Sequence, residues 1–220
     1  MKKYLLTGLL FFSITAAFSQ NRFGLKLSPT ISFNRVDSES ALASYSSNGV
    51  GMRFILGPTF DYFLGENYYI STGLLYAPKR VGVTGVQNLP TASALSRQVD
   101  EIYNLQFIQI PGTIKMYTNE LALDTRLYFQ LGGVLEIKIQ DKVKESQIPL
   151  ITKFRPYDIS TLLGTGIEYR IGVNTVLYGG ISYVRGLLNT ASRQTTSDQV
   201  FSERFTIKND IIALDIGIMF

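Results

Sequence analysis

Residues Thr125 to Ile139 alternate with a period of two. Leu127, Phe129, Leu131, Leu135, Ile137 and Ile139 fall on one face, and Arg126, Tyr128, Gln130, Glu136 and Lys138 fall on the other. The C-terminal segment does the same, with Ile212, Leu214, Ile216, Ile218 and Phe220 opposite Ala213, Asp215 and Gly217. This is the side-chain period of a β-strand; a helix would scatter these residues around its axis. Eight such segments are predicted, at 22–33, 50–63, 68–81, 102–117, 125–139, 158–171, 175–186 and 206–220. The connections between them alternate in length. Those at 64–67, 118–124 and 172–174 are short. Those at 34–49, 82–101, 140–157 and 187–205 are long and polar, as in Ser38-Glu39-Ser40 and Thr195-Thr196-Ser197. No stretch after Gln20 is apolar for long enough to make a transmembrane helix.

The polar face decides which side of the sheet is inside. It carries Lys26, Arg53, Asp61, Lys79, Lys115, Arg126, Glu136, Lys138, Asp158, Glu168, Arg170 and Asp215. The core of a soluble β-sandwich could not desolvate so many charges. A barrel in lipid turns the pattern out, with the apolar face toward the hydrocarbon and the polar face toward a lumen. The predicted fold is therefore all-β: an eight-stranded antiparallel up-and-down transmembrane β-barrel in the outer membrane. It has short periplasmic turns, four long extracellular loops and both termini in the periplasm. Most segments exceed the roughly 9–11 residues that cross the hydrocarbon, so some strands are expected to project above it. Two aromatic girdles are expected. One holds Tyr62, Phe63, Tyr68, Tyr69, Tyr117, Tyr169 and Phe220 near the short turns, the other Phe33, Tyr76, Tyr103, Tyr157, Tyr183 and Phe205 near the long loops. Phe220, last in the chain and on the lipid-facing register, resembles the signal read by the barrel-assembly machinery.

Residues 1–19 read as a secretory signal peptide. Lys2 and Lys3 precede an apolar run from Leu5 to Phe18, and Ala17 and Ser19 place small residues before a cut ahead of Gln20. The barrel domain is then 20–220. Removing the signal takes two positive charges from a formal net charge of +4, so the basic balance is weak evidence for an acidic partner. Only 17% of the residues are charged, against roughly 25% in an average soluble domain, which argues against a nucleic-acid partner.

The chain has no Cys and no His, which removes thiolate and imidazole chemistry and their metal sites. Asp37/Glu39 and Asp141/Glu145 lie in loops without the ligand spacing of a calcium site. Gly164-Thr165-Gly166 has no helix after it, so it and Gly132-Gly133 and Gly179-Gly180 read as room for bulky neighbours in the barrel wall. Pro29, Pro58, Pro78 and Pro111 fall within strands and are expected at bulges or beyond the membrane. No catalytic, cofactor or metal site is expected. The inward charges read as a salt-bridge network filling the lumen, with Arg126 and Glu136 among its bridging groups; the alternative is a narrow pore or transporter for a small solute. Loop 140–157 is the candidate contact with an envelope or extracellular protein. It carries Asp141, Lys142, Lys144, Glu145, Lys153 and Arg155 beside Ile148, Ile151 and Phe154.

Several segments resemble the PorT-like outer-membrane β-barrel family of the Bacteroidetes. They are Phe23-Gly24-Leu25-Lys26, Gly73-Leu74-Leu75-Tyr76, Gln109-Ile110-Pro111 with Lys115, and Gly164-Thr165-Gly166-Ile167-Glu168-Tyr169. The resemblance spans most of the chain after Gln20. It implies an eight-stranded outer-membrane barrel without catalytic residues.

Overall fold

The computed structural model describes residues 21–38, 43–87, 98–145, 150–194 and 205–220. The expected signal segment, Glu39, Ile148 and Thr195-Thr196-Ser197 lie outside the described residues, as do the side chains of Lys144 and Glu145. Twelve strands occur among the described residues: β1 (Arg22–Ser38), β2 (Ala43–Ser47), β3 (Gly51–Gly65), β4 (Tyr68–Gly73), β5 (Leu75–Gln87), β6 (Gln98–Tyr117), β7 (Thr125–Glu145), β8 (Ile151–Phe154), β9 (Tyr157–Arg170), β10 (Val176–Gly186), β11 (Ala191–Gln194) and β12 (Phe205–Met219).

The sheet runs β1-β12-β10-β9-β7-β6-β4-β3 and closes on itself through β1–β3. β5 carries the β4 stave onward along β6, and β2 pairs with the far end of β5. Eight antiparallel staves thus form a barrel. Closure at the chain ends is completed by Phe23 and Phe220, whose backbone amides each donate to the other's carbonyl at 3.2 and 2.7 Å. The strands run further than the alternation alone predicts. β1 continues to Ser38, β6 begins at Gln98 and β7 continues to Glu145. Much of the expected long connections is therefore strand, and β8 pairs with β11 as a separate two-stranded sheet at the long-loop end.

The wall is thin where β4 gives way to β5. β4 and β5 form a single stave interrupted at Leu74, whose amide donates to Pro58 O at 3.0 Å. Gly57 stands beside the break with φ 156°, and a Cβ there would lie 2.2 Å from Leu74 O, so no larger residue fits. Beyond the break, β3 and β5 share only the pair Leu56↔Tyr76. The prolines gather at such gaps. Pro58 and Pro111 flank the break, Pro78 lies on the thinly paired stretch, and Pro29 falls where the β1–β12 ladder is interrupted between Leu27↔Ile216 and Thr30↔Ala213 without a change of register. A missing N–H costs least where the ladder is already open.

Candidate functional site: the filled lumen

The lumen is filled in layers, beginning at the short-turn end. Tyr69, Tyr117, Tyr128 and Tyr178 line the inside of the wall together with Met219 and the partly buried Phe63. Successive ring centroids lie 5.5 Å apart for Phe63–Tyr69 and Tyr69–Tyr117, 6.1 Å for Tyr117–Tyr128 and 6.3 Å for Tyr128–Tyr178. Such a chain fits only where the wall is bare. Cβ atoms at Gly166 and Gly180 would lie 2.6 and 2.5 Å from the Tyr128 hydroxyl, and one at Gly217 would lie 2.4 Å from the Tyr178 ring. The room-making reading of the glycines holds at Gly166 and Gly180; Gly133 and Gly179 meet nothing closer than 3.8 Å.

Within this aromatic layer Glu168 is clamped by two arginines. Arg22 Nη1 donates to its Oε1 and Oε2 at 3.1 and 2.9 Å, Arg126 Nη2 to Oε2 at 3.0 Å, and the Tyr117 hydroxyl to Oε1 at 2.7 Å. Each arginine also lies over a ring, Arg22 at 4.5 Å from Tyr69 and Arg126 at 4.7 Å from Tyr117. One step further in, Lys115 pairs with Asp61 at 2.9 Å. Lys26 pairs with Asp215 at 2.9 Å, and Ser28 donates to the same carboxylate at 2.8 Å. A mid-barrel apolar layer follows, of Ile55, Leu75, Ala77, Val134, Leu162, Val184, Ile211 and Ala213. A cavity of about 30 Å³ remains between these layers, lined by Lys26, Lys115, Gln130 and Tyr178 among others. That is room for about two waters.

The next charged layer centres on Glu136. Lys79 Nζ and Gln109 Nε2 both donate to it at 2.5 Å, and Ser160 donates at 3.4 Å. Both side chains of the Lys79–Glu136 pair are fully buried, so each depends on the other for its charge. Asp158 is buried with them; its Oδ1 accepts from the Ile159 amide at 2.8 Å, and its Oδ2 has no hydrogen-bond partner among the described residues. Above lies a second apolar core of Val81, Val83, Val99, Tyr103, Leu105, Phe107, Phe205 and Ile207, closed over by Leu150, Ile151 and Phe154 from β8 and its approach, and by Ala191. Glu101 is buried here, accepting from the Tyr103 hydroxyl and from the Leu150 amide.

Nine of the twelve sequence-predicted lumen charges, Lys26, Asp61, Lys79, Lys115, Arg126, Glu136, Asp158, Glu168 and Asp215, lie in these layers. Arg126 and Glu136 both bridge, but to different strands: Arg126 to β9 and Glu136 to β5. The other three depart from the expectation. Arg53 is outside the network, donating to Met52 O and to Asn104 Oδ1, each at 2.8 Å. Asn104 stands on the outward alternation of β6, and the thin β3–β5 seam lets Arg53 reach it. Lys138 sits at the upper edge, bonded to Asp141 and donating to Phe154 O at 3.4 Å. Arg170 is exposed at the short-turn rim, where the strand ends before a partner can cover it.

The aromatic girdles need a correction. Tyr68 is 52% exposed and Tyr69 only 6%, because neighbours on a strand face opposite sides. Tyr62, Tyr68, Tyr169 and Phe220 face outward at the lower rim, as does Tyr157 at the upper. Phe63, Tyr69, Tyr117, Tyr103 and Phe205 instead fill the lumen. In the candidate contact loop, Ile151 and Phe154 are buried in the upper core rather than presented outward.

The charged groups that escaped the sequence reading include half-buried Arg22, buried Glu101, and Asp210, which is buried on the outward alternation of β12. Arg22 shares the inward face with Lys26, four residues on, and that parity was the available signal. Glu101 fell inside an expected loop and carried none. Among the described residues no group of three or more His, Cys, Asp or Glu is arranged to hold a metal ion.

A family model described as outer membrane protein beta-barrel domain matches residues 18–192. No curated protein matches the chain. Among solved structures, the outer membrane protein OprG from Pseudomonas aeruginosa is similar at 10% identity and a TM-score of 0.52, covering 90% of this chain and 95% of that one. Neisserial surface protein A is similar at 11% identity and a TM-score of 0.44, covering 89% and 95%. At these identities the likeness concerns the fold alone.

Proposed function

Because the chain belongs to the outer membrane protein beta-barrel domain family and resides in the outer membrane, we propose that it is a non-enzymatic, non-conducting barrel. Its lumen is a structural filling, and it acts as an envelope component through its extracellular end. The observation that carries this reading is the cross-bracing of the lumen by buried ion pairs between non-adjacent staves. Arg22 on β1 reaches Glu168 on β9, Asp61 on β3 reaches Lys115 on β6, and Lys79 on β5 reaches Glu136 on β7. A solute path would need these pairs to part, and a charge left alone in low-dielectric surroundings is costly. The chain also lacks the His and Cys on which most nucleophilic and acid–base sites depend.

The chain falls within the PorT-like group in this reading. The segments that carry that resemblance supply Lys26, Gln109, Lys115 and Glu168, which hold the charged layers together. The partner of the extracellular end is an envelope or extracellular protein, met by exposed residues such as Lys142 and Lys153 rather than by the buried Ile151 and Phe154.

The test is single-channel recording of the refolded protein in a planar bilayer. No stable conductance is expected. Steady conductance that disappears in Arg126→Ala would replace this reading with that of a narrow pore.

A further inference from the structure

The outer surface of the barrel is not the same all round at the height where its apolar band ends. On β6 the first polar side chain above the band is Gln106, and on β7, above Ile139, it is Asp141. On the three adjacent staves β10, β12 and β1 the corresponding residues are Arg185, then Asp210 and Lys208, then Arg35. Register makes these one cluster. Arg35 pairs across with Lys208, and Asp210 pairs across with Arg185. Ile181, Ile212 and Phe33 lie directly below on the same outward face.

Asp210 does not neutralise the whole group. It is 1% exposed and accepts from Arg35 Nε at 2.7 Å, Arg35 Nη2 at 3.0 Å, the Tyr183 hydroxyl at 3.0 Å and the Gly186 amide at 3.3 Å. Its charge is thus committed to holding Arg35 and Tyr183 in place; Arg35 also donates to Gly186 O at 2.9 Å. Arg185 is exposed and Lys208 half-buried, and neither has an ion pair or hydrogen bond to another described residue. Asp37, in register with Thr206, is the further carboxylate on this face and is exposed. Diagonal neighbours on one sheet face stand roughly 7–8 Å apart, a gap that one phosphate group can bridge.

We propose that the β10–β12–β1 face binds a phosphate group of a phosphorylated lipid in the outer leaflet. Arg185 and Lys208 are the direct ligands, Arg35 and Tyr183 are fixed beside them by Asp210, and the acyl chains lie along Ile181, Ile212 and Phe33. The occupant follows from position. A cation standing on the edge of the apolar band is at headgroup height, where an anionic group meets it at reduced dielectric and an amphipathic tyrosine is at home. A guanidinium beside an ammonium suits phosphate in particular, one offering a planar fork and the other a point charge. The proposal does not depend on the lumen being closed.

The experiment is native mass spectrometry of the refolded full chain in detergent. The probes are a diphosphorylated glucosamine-based lipid, the same lipid enzymatically dephosphorylated, and inorganic phosphate. The chain is expected to retain the diphosphorylated lipid and to lose it as salt is raised. Arg185→Gln/Lys208→Gln is expected to retain on the order of tenfold less, about one decade of affinity for two lost charge-assisted contacts. The charge-keeping variant Arg185→Lys/Lys208→Arg is expected to bind as the parent does. Arg170→Gln, which removes an exposed cation at the short-turn rim, is expected to leave retention unchanged. Equal retention by the first variant and the parent overturns the proposal, as does equal loss in Arg170→Gln. Equal retention of the dephosphorylated lipid, or displacement of the lipid by millimolar inorganic phosphate, overturns it as well.

Discussion

Along β6 the same alternation serves two opposite environments. At the short-turn end the strand points Lys115, Thr113 and Gln109 into the lumen and Met116, Ile114 and Ile110 out into lipid. Past Gln109 it points Phe107, Leu105, Tyr103 and Val99 inward, and Gln106, Asn104 and Asp100 outward. The alternation along β6 is unbroken, although its pairing with β7 shifts between Gln106 and Phe107 and again between Ile102 and Tyr103; the polarity of the two faces is exchanged. β5 and β12 share the exchange, with Val81 and Val83 inside against Arg80 and Thr84 outside, and Phe205 and Ile207 inside against Thr206 and Lys208 outside. The solvent outside the wall accounts for it. Where lipid surrounds the barrel, apolar side chains face out and the charges inside must pair. Where water surrounds it, the barrel has an apolar core like that of any soluble domain. The boundary between the two regions falls at Lys79, whose Nζ lies 5.0 Å from the Phe107 ring.

The hardest test of this division is to unbalance the charged region. Glu136→Ala leaves Lys79 buried without its counter-ion and is expected to cost about 3–5 kcal/mol in urea titrations in lipid vesicles. Replacing both residues by Met is expected to recover most of that loss, because two apolar groups leave nothing unpaired. Across the boundary, Phe107→Ala is expected to cost a similar amount, about 3–5 kcal/mol, as a cavity in a packed apolar core. A small loss at Phe107 would mean that the upper region is a loose collar and not a core.

Outside the wall the expected effects are smaller. Leu131, 56% exposed, faces lipid, and Leu131→Arg is expected to cost about 2–4 kcal/mol as a cation in the hydrocarbon. Gln130→Leu is expected to cost less. It loses the bond that Gln130 Nε2 donates to Thr113 Oγ1 at 2.5 Å, but it puts no charge into lipid. The reverse order in refolding titrations would place β7 one residue out of register and exchange its faces. Gln106→Leu is expected to change stability by no more than about 0.5 kcal/mol, since Gln106 stands on the water-facing side of the upper region. A loss comparable to that of Leu131→Arg would move the membrane boundary.

Legibility in the sequence followed the same division. The membrane region was readable because a one-sided apolar face, such as Leu127 to Ile139, repeats on every stave. The extension of β6 from Ile102 back to Gln98 was not. There, Val99 and the charged Glu101 share the inward face while Gln98 and Asp100 face outward, so neither face is apolar and nothing marks the strand. The lumen aromatics were misplaced for a related reason. Tyr68 and Tyr69 are chemically alike, and composition near a rim does not say which of two neighbours faces in.

The sequence by itself determined the period of the strands, the number of staves, the face most side chains take within the membrane and the need for the inward charges to find partners. These are properties of short stretches, because alternation is set residue by residue by the pleat. The tertiary structure decided which charge meets which, where the polarity of the faces is exchanged, and that Arg53 leaves the lumen through the β3–β5 seam. Arg22 and Glu168 are 146 residues apart, and they meet only because the barrel closes with one particular stagger of its staves. That stagger is a property of the whole ring.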